Sequence, residues 1–211
     1  MVYLPFCYAA PIAYYYYLVN FPCRAEIYAH YTKQTLANRC RIFTSQGVQN
    51  LVIPIEKPKE KCFIKDIKIS NRSDWQMQHL RALKTAYNSA PFFDFYIDDL
   101  SKLYIKKENF LFDFNINLQI SIINLLHYEK LDFSLSDNYE KNVNKNDLDL
   151  RNLFLSKKKI VNLPFNLEEK YEQVFSDKLG FQKNLSIFDL LFNLGNEARI
   201  YLKNSNKKNF N

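Results

Sequence analysis

The spacing of apolar residues in this chain changes near residue 70, and that change restricts the fold more than any other feature. Ahead of it lie short β-prone runs at about 1–8 (broken at Pro5), 25–30, 38–43, 48–55 and 64–69. Beyond it, apolar side chains recur every three or four residues, the spacing of one helix face. Trp75, Leu80, Leu83 and Tyr87 define a first helix, capped by Ser73 or Asp74. Ser89-Ala90-Pro91 ends it, because the residue before a proline is driven out of the helical basin. A second helix is expected at about 92–106. A third, at about 109–128, carries Leu111, Phe114, Leu118, Ile122 and Leu125 on one side. The predicted class is α+β: a mostly antiparallel N-terminal sheet with a hairpin, then packed helices, with a further strand or two near 131–163.

Local signals refine this outline. Pro11 suits a first helical turn, where its missing N–H has no partner to lose, and 12–19 continues that helix. Four consecutive tyrosines, Tyr14 to Tyr17, would favour a strand on propensity alone. The apolar run there is only about thirteen residues long, short of the roughly twenty that cross a bilayer. The hairpin is expected across 44–47, with Gly47 supplying the turn conformation. Asn, Asp and Lys dominate 137–152, so 136–162 reads as weakly organised loop. Ser186 and Asp189 fit a capping box ahead of Ile187, Leu190, Leu191 and Leu194, and Gly195 closes that helix. One domain over 4–202 with a disordered tail at 203–211 is the expected organisation.

Composition removes several functional classes. At 211 residues, 47% of them hydrophobic and 16% aromatic, the chain can bury a well-formed core. Its three glycines (Gly47, Gly180, Gly195) are far apart, which excludes a glycine-dependent phosphate loop. The net charge of +7 favours acidic partners, but much of it is scattered lysine: Lys57, Lys59, Lys61, Lys157, Lys158, Lys159, Lys207, Lys208. There is no arginine-rich helix, zinc-finger spacing or RNA-binding aromatic signature. The balance points to phosphate- or carboxylate-bearing small molecules and no specific nucleic acid. Cys7, Cys23, Cys40 and Cys62 form no C-x-x-C pair and follow no leader pattern, as in reduced thiols of a cytoplasmic protein. The histidines at 30, 79 and 127 have no ligand spacing, so neither metal nor cofactor is expected.

The polar block at 26–41 is the candidate site. Alternation along the predicted strand puts Glu26, Tyr28 and His30 on one face. A carboxylate beside an imidazole that titrates near neutrality can share a proton; the alternative is a surface histidine bonded to a backbone carbonyl. Arg39 and Arg41 share one face of the hairpin and offer two planar forks to a phosphate or carboxylate. The alternative is ion pairing with Glu26, Asp66 or Asp74. Asn38 can orient a sugar or amide. Cys40 lies between the arginines in sequence, but alternation points it the other way. Trp75 and His79, four apart on a helix, can form a stacking floor for a ring-shaped ligand or simply a core edge.

Several blocks, taken in order, carry a family resemblance. They are Leu4-Pro5, Tyr8 and Pro11-Ile12-Ala13-Tyr14; Glu26, His30-Tyr31, Lys33-Gln34 and Asn38-Arg39-Cys40-Arg41-Ile42; and Gly47-Val48 with Ile53-Pro54-Ile55. Trp75, His79, Ala82, Tyr87-Asn88-Ser89 and Pro91-Phe92-Phe93 extend them, as do Gly180-Phe181 and Asn184-Leu185-Ser186-Ile187. Together they resemble the WbqC-like family, in the form common in Bacteroidota, from about residue 4 to 202. One departure is Ala9-Ala10-Pro11, where closer relatives have a bulky residue and a double proline. The resemblance implies a role near bacterial surface polysaccharides such as O-antigen, with acyl- or aminoacyl-transfer to sugars as the suspected chemistry. Carried over by residue, it points to His30, Lys33, Asn38, Arg39, Arg41, Trp75 and His79; in a transferase the last six would bind substrate, and His30, assisted by Glu26, would be the general base. Two readings follow: a cytoplasmic transferase acting on a phosphate-bearing sugar intermediate such as a nucleotide-sugar, or a non-catalytic assembly protein of a polysaccharide-synthesis complex.

Overall fold

The first strand, β1 (Val2–Pro5), is buried along its whole length and pairs in parallel with β2 (Cys23–Glu26), Val2 opposite Cys23 and Pro5 opposite Glu26. The computed structural model describes residues 1–58, 60–154 and 170–204; the expectations for Lys59, Lys157–Lys159, Lys207, Lys208 and the tail beyond 204 lie outside them. Parallel neighbours need a crossover, and α1 (Ile12–Asn20) supplies it. Every residue from Ile12 to Leu18 is buried, so this helix is apolar all round. The tyrosine run is therefore helical despite its strand propensity. Its rings pack edge-on, Tyr14 against Phe154 at 5.7 Å and Tyr16 against Tyr17 at 5.2 Å.

Two later strands complete the sheet. β5 (Phe133–Leu135) joins β2 and β6 (Leu148–Asp149) joins β1, both in parallel, giving the order β5-β2-β1-β6. The arrangement is mixed α/β, and the N-terminal sheet is mainly parallel, which overturns the expected antiparallel sheet. Its strands are two to four residues long and are separated by long excursions, so no hairpin signal could announce them. Only β3 (Arg39–Thr44) and β4 (Gly47–Val52) form the predicted antiparallel hairpin, with Gly47 at φ +96°. The run at 64–69 is not a strand either. It makes a 3₁₀ turn at Ile64–Asp66 and single bridges from Ile69 to Ile55 and from Lys68 to Phe110.

Beyond residue 70 the helices α2 (Trp75–Tyr87), α3 (Phe93–Ile105) and α4 (Leu111–Leu125) follow the predicted spacing closely; a short α5 (Ser176–Leu179), not foreseen, precedes the expected α6 (Ile187–Leu194), and a further unforeseen helix, α7 (Glu197–Asn204), follows it. Leu83, Leu100, Leu111, Phe114, Leu118 and Ile122 join one large core with α1, α6 and α7. Among the described residues no helix is long and apolar enough to cross a membrane.

The start of α6 differs from a reciprocal capping box. Ser186 Oγ accepts from the Phe188 N–H at 3.4 Å, but the Ser186 N–H bonds to the Arg41 carbonyl at 2.8 Å. Asp189 is instead fully buried. It accepts from the Tyr87 hydroxyl at 3.0 Å, from Gln173 Nε2 at 2.8 Å and from the Tyr171 hydroxyl. The same segment seals the start of α1, where Leu185 O and Asn184 Oδ1 accept the Ile12 and Ala13 N–H groups, each at 2.9 Å.

Gly195 ends α6 at φ +55°, and a Cβ there would meet the Phe92 ring at 2.6 Å. Gly195→Ala should therefore cost about 1–3 kcal/mol, through both the left-handed backbone and the ring contact. Urea unfolding of the two proteins checks this; an unchanged midpoint would show that neither cost is real.

Candidate functional site

In an open parallel sheet the ligand crevice lies beyond the carboxyl ends of the strands, where the chain order reverses. Here β1, β2 and β5 run outward in one direction and β6 returns to the other side of β1, so the reversal falls between β1 and β6. A crevice of about 160 Å³ lies there, lined among others by Pro5 at the end of β1, Glu26 at the end of β2 and Asp149 at the end of β6. His30, Lys141 and Arg151 also line it.

Glu26 is 1% exposed, and its carboxylate gathers three distant parts of the chain. Oε1 accepts from the Tyr28 N–H at 2.7 Å and the Ser136 hydroxyl at 2.8 Å. Oε2 accepts from Arg151 Nη1 at 3.3 Å and from the Glu140 N–H at 3.4 Å. Arg151 is held as tightly. Its Nε and Nη2 form a two-pronged contact with Asp149 at 2.9 and 2.7 Å, and Nη1 also donates to the Glu140 carbonyl at 2.7 Å. The rings of Tyr3 and Tyr139 lie 5.6 and 5.2 Å from the guanidinium. Hydrogen bonding from Arg151 holds the Asp149 carboxyl below the usual carboxylate range, and the same bond raises Arg151. A buried carboxylate is tolerable only when paired and fully hydrogen-bonded, and these contacts meet that condition.

His30 is exposed and stacks flat on Phe63, centroids 4.9 Å apart at 10°. It reaches the crevice by a bend rather than along a strand. β2 stops at Glu26, so Glu26, Tyr28 and His30 do not alternate on one strand face. Both Glu26 oxygens are taken by the donors above, so the imidazole and the carboxylate share the crevice without a shared proton.

The other sequence-predicted residues lie elsewhere. Lys33 is exposed and does not line the crevice. Asn38 is buried, with Nδ2 donating to the Ile53 carbonyl at 2.8 Å and Oδ1 accepting from the Tyr31 hydroxyl at 3.3 Å. Arg39 and Arg41 do share a hairpin face, opposite Val52 and Asn50. Arg41 Nη2 is committed to the Asn184 carbonyl at 2.7 Å, and burial lowers its pKa. Arg39 carries a buried Nε with no hydrogen-bond partner among the described residues. Neither arginine lines the crevice.

Trp75 and His79 are 2% and 5% exposed and pack edge-on at 5.1 Å. The Val52 carbonyl lies 3.2 Å from His79 Nε2 and can only accept, so neutral His79 carries its proton there; Nδ1 accepts from the Tyr8 hydroxyl at 2.9 Å. Tyr104 lies 2.6 Å further along, oxygen to oxygen. The imidazole faces that might have floored a ligand are thus covered by protein rings. Among the described residues no group of three or more His, Cys, Asp or Glu is placed to hold a metal.

Sequence reasoning missed Ser136, Asp149 and Arg151, which stand in a stretch dominated by loop-forming residues. The Asp149-x-Arg151 spacing, a carboxylate two residues before a guanidinium, was the one available signal. Asp189 was noticed as a cap, not as a buried charge.

These features define an α/β protein with a polar crevice at the reversal point of a parallel sheet. The chain belongs to the WbqC-like protein family, whose model matches residues 27–163. It is 28% identical over 197 residues to an uncharacterized protein of Mycobacterium tuberculosis, a match covering 82% of this chain and 84% of that protein. No solved structure matches the chain.

Two buried groups outside the crevice give opposite pH dependences. Burial pushes His79 down to about 4 and Asp189 up to about 6. Folding therefore loses support from His79 as pH falls from 6.5 towards 4. It loses support from Asp189 as pH rises from 3.8 towards 6. Each effect is worth about 3 kcal/mol, so they nearly cancel between pH 4 and 6.5. Asp189→Asn should make the protein more acid-sensitive than wild type over that window, and His79→Gln less so. Denaturant unfolding at pH 7, 5.5 and 4.5 measures the difference; parallel curves for all three proteins would refute the opposed pair.

Proposed function

We propose that this chain is a transferase of a small acyl or aminoacyl group to a phosphate- or carboxylate-bearing sugar intermediate in bacterial surface-polysaccharide synthesis, with its reacting centre in the crevice between β1 and β6. One observation carries the reading: an accessible imidazole, His30, beside a locked Glu26–Arg151–Asp149 cluster at the reversal point of the sheet. Family membership supports the setting, and the absence of any spanning helix among the described residues is compatible with work in the cytoplasm.

In this reading His30, its ring held by Phe63, takes the proton from the attacking hydroxyl or amine. The new ester or amide bond forms as the donor's thioester or ester bond breaks, and the imidazolium returns that proton to the departing thiolate or alkoxide. Glu26 and Asp149 act as positioning residues that fix the Arg151 fork. Among the described residues four of the five guanidinium hydrogens are committed, which would leave one Nη2 hydrogen for an incoming anion, and Lys141 lines the same crevice. The crevice is smaller than the roughly 300 Å³ at the low end of whole-ligand pockets. It suits the reacting group, with the sugar lying outside towards the hairpin, where Lys33 and above all Arg39 would meet it, while Asn38, buried and bonded to Ile53 and Tyr31, would hold the hairpin behind them. Trp75 and His79 support that region from within the core.

A second reading, the assembly protein, draws on Phe95 and Ile105, which α3 exposes at 74% and 71%. The two separate by experiment. Nucleotide-sugars, acyl-CoAs, aminoacyl donors and inorganic phosphate are screened by thermal melting, and any stabilising pair is assayed for transfer. The transferase reading expects a stabilising donor, a loss of at least about a hundredfold in transfer for His30→Asn, and an unchanged melting temperature for that variant. Lys141→Ala should weaken binding about tenfold with little effect on the chemical step. No stabilisation by any compound, or full transfer by His30→Asn, overturns it.

A further inference from the structure

A second cavity, of about 790 Å³, shares no lining residue with the crevice. It lies where the turn after α2, at Ser89 and Pro91, meets the segment at 170–177 and the junction of α6 with α7. Its volume falls within the roughly 300–1,000 Å³ of small-molecule sites. Its charge runs against that of the chain. Glu172, Asp177 and Glu197 line it beside a single cation, Lys170, on a protein of net charge +7. All four are exposed, and among the described residues none of them forms an ion pair. Three like charges around one concave surface focus a negative potential into it.

The wall supplies an acceptor of its own. Asn193 lies in the last turn of α6 and lines the cavity, yet it is only 8% exposed. Its Nδ2 donates to the Asp189 carbonyl at 2.8 Å. A carbonyl can only accept, so this bond fixes the amide and leaves Oδ1 without a hydrogen-bond partner among the described residues. The negative end of the α6 dipole falls at the same place. Tyr171 and Tyr201 also line the cavity, their rings 5.4 Å apart and nearly perpendicular at 80°, like two walls of an aromatic cage. The carboxylates do not close on a bare metal ion, because among the described residues no three His, Cys, Asp or Glu are placed to hold one. A broad, negative, aromatic-walled cavity suits an organic cation instead.

We propose that this cavity binds a small organic ammonium, a protonated primary amine on a body the size of a sugar or an amino acid, held by Asn193 Oδ1 and the carboxylates of Glu172, Asp177 and Glu197. An ammonium has three hydrogens to donate and accepts nothing, which matches a lining of acceptors. The buried amide fixes where the charge sits, and the exposed carboxylates draw it in. The site stands apart from the transfer centre, and no step given to His30 depends on it.

Titrations into the full chain, followed by NMR at the Asn193 side-chain amide, test the proposal. Glucosamine is compared with N-acetylglucosamine, and alaninamide with N-acetylalaninamide; each acetyl form keeps the body and removes the charge. The expected result is a saturable shift with at least one amine, about tenfold or more weaker for its acetyl form. Which pair responds distinguishes an amino sugar from an aminoacyl group. Glu172→Gln and Glu197→Gln should each weaken binding about tenfold while the melting temperature holds, and high salt should weaken it as well. His30→Asn should leave it unchanged, which separates this site from the transfer centre. Asn193→Leu should abolish binding, and the glutamine variants keep the test decisive if that variant fails to fold. No saturable binding of either amine, equal binding of the acetyl forms, indifference to both glutamine variants, or tighter binding of calcium than of any amine overturns the proposal.

Discussion

A nine-residue helix with no wet side sets the terms for this molecule. α1 is too short to be stable alone, and from Ile12 to Leu18 none of its residues is more than 1% exposed. It exists because the sheet, α6, α7 and Phe154 enclose it, so its polar atoms must be satisfied from within. Its first free N–H groups take Leu185 O and Asn184 Oδ1. Arg41 then accounts for the Asn184 main-chain carbonyl. In many α/β proteins that helix start is left open, and the partial positive charge of its dipole receives a phosphate. Here it is closed by the chain itself, in keeping with a sequence that has no glycine loop to bring a phosphate so near.

With that position closed, the polar chemistry at the carboxyl ends of the strands gathers beside β6 instead. Glu26 and Asp149 share one guanidinium, so it is the loss of Arg151 that would strand the buried Glu26 carboxylate. This explains why so rigid a cluster stands under so small an opening. Rigid support beneath an accessible imidazole gives geometric precision to whatever His30 touches. Asp189 plays a comparable part away from the crevice, because its carboxylate binds α2 through Tyr87 and the segment at 171–173 through Tyr171 and Gln173. The Tyr87 hydroxyl in turn accepts the Phe43 N–H, which brings in β3.

The helices and the hairpin were legible because their signals are local: helical spacing from Trp75 onward, Pro91 as a break, Gly47 in a tight turn. The parallel sheet was not legible, since its register depends on strands more than a hundred residues apart, such as Val2 beside Leu148. Alternation over 25–30 suggested a longer strand, but Glu26 is withdrawn into an ion pair and the chain bends after it. Half of the crevice could be read in Glu26 and His30. The other half, Ser136 to Arg151, is spelled in residues that signal loops everywhere else. Trp75 and His79 were visible as a pair, but whether rings at helical spacing face a ligand or the interior depends on neighbours such as Tyr8 and Tyr104, which the spacing does not reveal.

The carboxylate of Glu26 has a consequence for how the protein is made. Its partners at Ser136, Glu140 and Arg151 leave the ribosome more than a hundred residues after it, and the groups that close α1 come later still. During synthesis the earliest strand and its apolar helix must wait, uncovered, for most of the chain to emerge. Non-local pairing of this kind folds slowly and leaves greasy surface open meanwhile. A stalled or clipped product lacking the region around Arg151 should therefore be a substrate for chaperones and proteases rather than a smaller working version of the molecule.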